Sequence, residues 1–264
     1  MGLGERIMKK GDVYSCDSGV SETIGFVVIL GIVITGIAMV TLYGYPALIQ
    51  EQQNTNIKNM QKNMFVIQSD LRSLTTKGIP YQETAIQVSG GTLMVKKDPD
   101  PTPRFEIDVN GLTITHNPGE LKFVSQDGST TIALENGAVL TRYQSDPTGS
   151  VMLAQPPWFY DTQKNTYVIH LIQLKASSDL SQAGIGTVRM MLSEPPSTIQ
   201  YNNPTTITYH ANPAEDYMRA WKNYFGTSDL GMTPRTPSGR NITCDLDPSA
   251  KLVIKTYNVT ILSL

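Results

Sequence analysis

Twenty-eight consecutive residues without a charge, Thr23 to Gln50 (TIGFVVILGIVITGIAMVTLYGYPALIQ), constrain this chain more than any other feature. The strictly apolar part, Ile24 to Tyr45, is 22 residues long. Wound as an α-helix at about 1.5 Å per residue it reaches roughly 33 Å, enough to cross a bilayer core of about 30 Å. A buried helix of a soluble protein rarely runs this long without a polar face, and this run has none. A cleaved secretory signal has an apolar core of about 7–15 residues and a small-x-small cut site. This run is longer and leads straight into a second helical pattern. Thr35 and Thr41 can return their hydroxyls to the helix backbone, and Gly25, Gly31, Gly36 and Gly44 are of a type common in membrane helices. Tyr43 and Tyr45 lie at the end of the run, where aromatic rings favour the membrane interface.

The flanks set an expected orientation. Arg6, Lys9 and Lys10 precede the span, whereas Glu51 follows it and the first lysine beyond is Lys58. The positive-inside rule then puts a tail of residues 1–22 in the cytoplasm and the chain beyond the span outside. The expected organisation is a cytoplasmic leader (1–22), a transmembrane helix (23–46), an amphipathic continuation (47–78) and an exterior β-rich domain (84–264).

Past Pro46, which removes one backbone donor and can kink a helix, the pattern changes. Ile57, Met60, Met64, Ile67, Leu71 and Leu74 recur at spacings of 3, 4, 3, 4 and 3, an a/d stripe with mostly polar residues between. Lys77-Gly78 followed by Ile79-Pro80 is a helix stop. Such a stripe has two uses: packing on the chain's own downstream sheet, or pairing with the same helix of a like subunit.

From about residue 84 the period drops to two. Candidate strands are 85–89, 92–97, 104–110, 112–116, 120–125, 130–135, 138–143, 167–175, 187–194, 205–211 and 251–264. Gly90-Gly91, Asn110-Gly111, Asp127-Gly128 and Asn136-Gly137 supply turn residues that accept positive φ. Many short strands at close spacing predict an antiparallel sandwich-like domain, making the whole α+β but mainly β. One helix interrupts it: Asn212-Pro213-Ala214-Glu215 reads as its start, Tyr217, Trp221 and Phe225 form a stripe facing the sheet, and Gly226 ends it. Residues 226–250 read as a long surface loop, and 98–103 (DPDPTP) as a Pro-rich excursion.

Composition narrows the function class. The 264 residues carry 17% charged side chains and a net charge of −2, so no basic surface for nucleic acid is expected, and the apolar content is too high for a disordered chain. His116, His170 and His210 form no metal-binding spacing, and His170 lies in an apolar strand pattern expected to be core. There is no nucleophile elbow and no Walker loop, and Gly184-Ile185-Gly186 precedes a strand where a dinucleotide site needs a helix. Asp98/Asp100 and Asp245/Asp247 are paired acids without the calcium-loop spacing. No catalytic residue, metal or cofactor is expected. Pro156-Pro157-Trp158-Phe159-Tyr160 reads as a strand-edge aromatic cluster buried in the core, with a sticky aromatic loop as the other reading. Cys16 and Cys244 fall on opposite sides of the expected membrane and cannot pair within one chain. Asn241-Ile242-Thr243 and Asn258-Val259-Thr260 are glycosylation sequons; Asn241 falls in the expected loop, Asn258 in an expected strand.

The segment Asp17-Ser18-Gly19-Val20-Ser21-Glu22-Thr23-Ile24-Gly25-Phe26, running into the apolar stretch, resembles the N-termini of archaeal type IV pilin-like and archaellin-like proteins. It is also similar to a group of archaeal membrane proteins that open with G-x-SET-x-GF and carry a W-x-x-Y-F segment near the end of a strand-rich domain, here Trp221 to Phe225. The resemblance implies a non-enzymatic surface protein whose helix serves as membrane anchor before assembly and as filament core afterwards. It implies processing by a prepilin-type peptidase, with two competing sites: Gly19 before Val20, next to the apolar run, and Gly11 before Asp12, next to the basic residues. It also implies a subunit contact for Glu22. With Gly19 processed, Glu22 becomes the third residue, where bacterial pilins carry a glutamate at the fifth. Such a carboxylate would offset the free amine of a neighbouring subunit inside an apolar bundle.

Overall fold

The computed structural model describes residues 17–98, 100–144, 149–214 and 216–264, with side chains from residue 22 onward. The apolar run forms α1 (Asp17–Met39), then a five-residue π-helix (Val40–Gly44), and α2 follows (Tyr45–Lys77). In the π turn the Tyr45 N–H reaches back to the Val40 carbonyl. This wide turn sits just ahead of Pro46, which lacks an N–H and crowds the carbonyl one turn back. The expected kink therefore takes the form of a local widening, after which the helix resumes. α2 stops at Lys77, and Gly78 (φ +66°) takes the left-handed conformation expected of a helix-ending glycine.

By contacts the chain divides into Met1–Gln53 and Asn54–Leu264. The second unit holds all the strands. In chain order they are β1 (Tyr81–Val95), β2 (Arg104–Val109), β3 (Leu112–His116), β4 (Glu120–Ser125), β5 (Thr130–Glu135), β6 (Ala138–Tyr143), β7 (Ser150–Ala154) and β8 (Phe159–Asp161). Then follow β9 (Thr166–Ala176), β10 (Leu180–Leu192), β11 (Ser197–Asn202), β12 (Pro204–His210), α3 (Met218–Phe225), β13 (Thr233–Pro234), β14 (Asn241–Asp245) and β15 (Lys251–Ser263). A ten-stranded sheet runs β7-β6-β5-β4-β1-β10-β15-β9-β8, with β11 also on β15. A five-stranded sheet runs β13-β14-β12-β2-β3. The expected α+β, mainly antiparallel architecture with one short inserted helix is what forms. One pair departs from it: β9 and β15 are parallel, in register from Thr166↔Lys251 to Ala176↔Ile261.

The large sheet is covered on both faces, and two cores result. One, rich in aromatic rings, lies against the small sheet and α3 and includes Phe105, Tyr209, Trp221 and Phe225. The other is aliphatic and lies against α2, including Met64, Leu71, Phe123 and Val188. Strand β9 serves both: Tyr167, Ile169 and Leu171 enter the first core, while Ile172, Leu174 and Ala176 enter the second. Alternation of side chains across a strand allows this, and it explains why 167–175 reads as nearly continuously apolar.

Four sequence expectations are corrected. Gly90-Gly91 is not a turn between two strands but a bulge inside the 15-residue β1, where the register to β10 shifts between Val88 and Leu93. Gly90 takes φ +70°, and a Cβ on Gly91 would stand 2.3 Å from the Val124 carbonyl oxygen, so the pair lets the strand bend over β4. The inserted helix begins at Met218, not near Asn212, because Asn212 caps a separate turn through Ala214 N (2.9 Å) and Asp216 accepts from Met218 N (2.7 Å). Residues 226–250 are not a surface loop throughout: β14 pairs with β12 and buries Ile242 and Cys244 completely. Its alternating N-I-T-C-D was masked by flanking Gly, Pro and Ser. Finally, β7, β8, β11 and β13, short strands at or near sheet edges, lie outside the candidate strands.

Candidate membrane anchor

The anchor is defined by exposure. Between Ile24 and Ile49, seventeen large apolar side chains are solvent-exposed, among them Phe26 (65%), Ile32 (67%) and Leu42 (67%). No residue from Glu22 to Ile49 is buried. Keeping so many aliphatic side chains in water costs on the order of tens of kcal/mol relative to an apolar surrounding. Soluble surfaces do not present apolar area on this scale. Among the described residues, one helical stretch is long and apolar enough to cross a membrane, and it contains this segment. Thr35 donates its hydroxyl to the Gly31 carbonyl (2.7 Å), so the polar group is satisfied within the helix. Glu22 is exposed at the start of the segment. The Gly19–Val20 junction lies within the first turn of α1. Gly11 and Asp12 lie outside the described residues.

The stripe beyond the anchor has the opposite surroundings. Met60, Met64, Ile67, Leu71 and Leu74 are at most 1% exposed, all within the aliphatic core, and Ile57 packs against it. Of its two uses, the stripe takes the packing one: it lies on the chain's own sheet. Polar contacts flank it. Gln68 Nε2 donates to the carbonyls of Gly137 (2.6 Å) and Gln155 (3.0 Å), and Arg72 donates to Gln155 O (2.7 Å). On the other side Asn63 Nδ2 donates to Gln87 O (3.1 Å) and the Thr84 hydroxyl donates to Asp70. The Gln68–Gly137 bond is buried, where an unpaired carbonyl would be costly, whereas the Asn63 and Arg72 bonds lie at the exposed rim.

The model of a family of unknown function, DUF7289, matches residues 19–262, from the start of the helix to the last strand. The chain belongs to this family. No curated protein and no solved structure matches it.

The chemistry-bearing residues of this DUF7289 chain are largely absorbed into its fold. The most unexpected is Glu135, fully buried at the end of β5. Its Oε1 accepts from Trp221 Nε1 (2.9 Å) and its Oε2 from the Tyr209 hydroxyl (3.5 Å). The carboxylate thereby ties α3 and the small sheet to the large one, closed off from any substrate. A glutamate just before an Asn-Gly turn reads as solvent-facing, so the sequence carried no signal for it. The aromatic stripe Tyr217, Trp221 and Phe225 is buried as expected. In the Pro156–Tyr160 cluster Trp158 is buried and donates to the His170 carbonyl (2.7 Å), Tyr160 stacks on Tyr167, and Phe159 is exposed.

His116 and His170 are both buried, and burial lowers each to about 4; the Lys255 charge adds to this at His170. His170 stacks on Tyr257 in the expected core position. His210 Nε2 lies 2.8 Å from Glu106, which Arg104 also pairs at 2.8 Å; the Arg104 and His210 hydrogen bonds hold that carboxyl below its usual range. The paired acids have partners of their own: Asp100 with Lys96 (2.7 Å), Asp245 with Arg235, and Asp247 with the Ser249 N–H (2.8 Å). Among the described residues, no group of three or more His, Cys, Asp or Glu is arranged to hold a metal ion. Cys244 is a free, fully buried thiol that burial pushes up to about 12; Cys16 lies outside the described residues. Asn241 is the first residue of β14 and half-buried, while Asn258 lies inside β15 as expected.

Proposed function

We propose that this DUF7289 member is a non-enzymatic, pilin-like structural protein of the cell surface, anchored or assembled through its N-terminal helix, with its β domain outside the membrane. The observation that carries the reading is the pairing of an apolar helix exposed on every side with a helical stripe fully consumed by the β domain. A segment of that kind needs an apolar surrounding, and both lipid and a bundle of like helices supply one. Glu22 at its head and the junction before Val20 fit the resemblance to pilin-like N-termini. The basic residues before the span support a cytoplasmic tail and an exterior domain.

N-terminal sequencing of the protein from native membranes tests assembly. A mature start at Val20, or at Asp12, is the expected result; an intact tail contradicts assembly by this route. Cysteines at Ile29 and Val33 should then crosslink between copies, and absence of any oligomer counts against a filament. Protease added outside intact cells should degrade the region after residue 80 and spare the tail.

A second reading is a permanently anchored envelope or binding protein that forms no filament. It is favoured by the helical backbone at Gly19–Val20, where a peptidase needs an extended substrate, and by the stripe's being unavailable to a second subunit. An uncleaved, monomeric chain in native membranes selects it.

A further inference from the structure

The small sheet turns one face to the aromatic core and the other to solvent. On β14, Ile242 and Cys244 point into the core, so Asn241 and Thr243 share the outer face, because residues two apart on a strand point the same way. Asn241 stands at the end of the β14–β12 ladder, opposite His210. It closes an exposed tight turn: Ser238 and Asn241 exchange both backbone hydrogen bonds (3.1 Å each) around Gly239, φ +59°, and Arg240. Strand β13 pairs with Cys244 and Asp245 and Arg235 N donates to the Thr243 carbonyl (2.8 Å), so the ladder on that side stops short of Asn241. Among the described residues the Asn241 side chain makes no hydrogen bond.

The second sequon has the right sequence and the wrong surroundings. Asn258 lies inside the 13-residue β15, paired with Gln173 of β9 on one side, while its neighbour Val259 pairs with Leu192 of β10 on the other. Its Nδ2 already donates to Glu194 Oε2 (2.8 Å), and the Thr260 hydroxyl is engaged by Ser193. The amide that a transferase must reach is thus held at Asn258.

We infer that Asn241 is an N-glycosylation site and that Asn258 is not, an inference that rests on the β domain being outside the membrane. The donor is a polyprenyl-phosphate-linked oligosaccharide. Asn241 Nδ2 attacks the anomeric carbon, the C1–Nδ2 bond forms, the C1–O bond to phosphate breaks, and the lipid phosphate leaves with the bonding pair. One Nδ2 proton passes to a base of the transferase. The Thr243 hydroxyl completes the acceptor; among the described residues its hydrogen bond is to Thr208 Oγ1 (3.0 Å), another side chain of the same outer face.

The test is intact-mass and glycopeptide mass spectrometry of the full chain exported in a host that glycosylates a co-expressed Asn-Val-Thr reporter. Wild type should carry one glycan, on the peptide containing Asn241. Asn241→Gln should lose all of the added mass and Asn258→Gln none. Thr243→Val, close in shape to the native residue, should abolish modification while leaving the thermal unfolding transition in place, which separates loss of the acceptor from loss of the fold. An unmodified Asn241 on a chain that external protease can reach overturns the site. An unmodified Asn241 on a protease-protected domain overturns the exterior reading and the site with it. A glycan on Asn258 contradicts the argument from its hydrogen bonds.

Discussion

Residues 24–49 and residues 57–74 are both helical and both carry large apolar side chains, yet every large side chain of the first group is exposed and the stripe of the second is buried. The difference lies in periodicity. The first segment is apolar around its whole circumference, and no single sheet face can cover a helix on all sides. The second gathers its recurring apolar residues on one face; the remaining faces carry mostly Asn, Lys, Gln and Ser, with Phe65 and Val66 exposed among them. The same residue types therefore stay exposed in one stretch and build a domain core in the next.

One pair of substitutions breaks this comparison most sharply. Met64→Lys forces a charge into the aliphatic core, where an unpaired ion costs several kcal/mol, comparable with the roughly 5–15 kcal/mol that hold a domain together. The β domain is expected to lose its cooperative unfolding transition. Leu30→Lys should leave that transition where it is but weaken membrane insertion by about 2.5–3.5 kcal/mol, read by partition between membrane and soluble fractions.

Acid comes next. His116 and His170 are held neutral down to about pH 4, whereas an unfolded histidine takes up its proton near 6.5. Between these values the unfolded chain binds more protons than the folded one. The stability is thus complete above about 6.5 and falls as the pH drops toward 4, by up to several kcal/mol for the two groups together. Denaturant unfolding at pH 7.5 and 4.5 measures the loss. A His116→Gln, His170→Gln double variant should lose markedly less between the two pH values.

Gly91→Ala puts a methyl group against the Val124 carbonyl and the Phe123 ring and should cost about 1–3 kcal/mol by the same measurement. The smallest effect is expected at Val66, half exposed beside the fully buried Ile67. Val66→Thr should stay within about 0.5 kcal/mol of wild type. A large loss there would mean that the outer face of α2 is covered.

What the sequence made legible follows the same division. Strong local signals carried the long apolar helix, the stripe, the helix stop at Gly78 and the Asn-Gly hairpins at 110–111 and 136–137, where both residues take positive φ. Weak or mixed signals hid the rest. β14 is five residues among turn formers. Gly90-Gly91 has the same composition whether it turns the chain or bulges a strand. The parallel pairing of β9 with β15 depends on partners 85 residues apart, which no local pattern records. For the candidate sites, both sequons were visible as motifs, but the hydrogen bond that distinguishes Asn258 from Asn241 goes to Glu194, distant in sequence. The burial of Glu135 needed Trp221 to arrive from α3 and Tyr209 from the small sheet.

The central claim is that the β domain is complete from Asn54 and that only the segment before it needs an apolar surrounding. Deleting residues 1–53 and following solubility together with thermal unfolding tests it most directly. The expected result is a protein of residues 54–264 that stays in solution without detergent and unfolds in one cooperative transition, while the full chain remains with membranes through alkaline carbonate washing. A truncated protein that aggregates or shows no transition, or a full chain released by carbonate, contradicts the account.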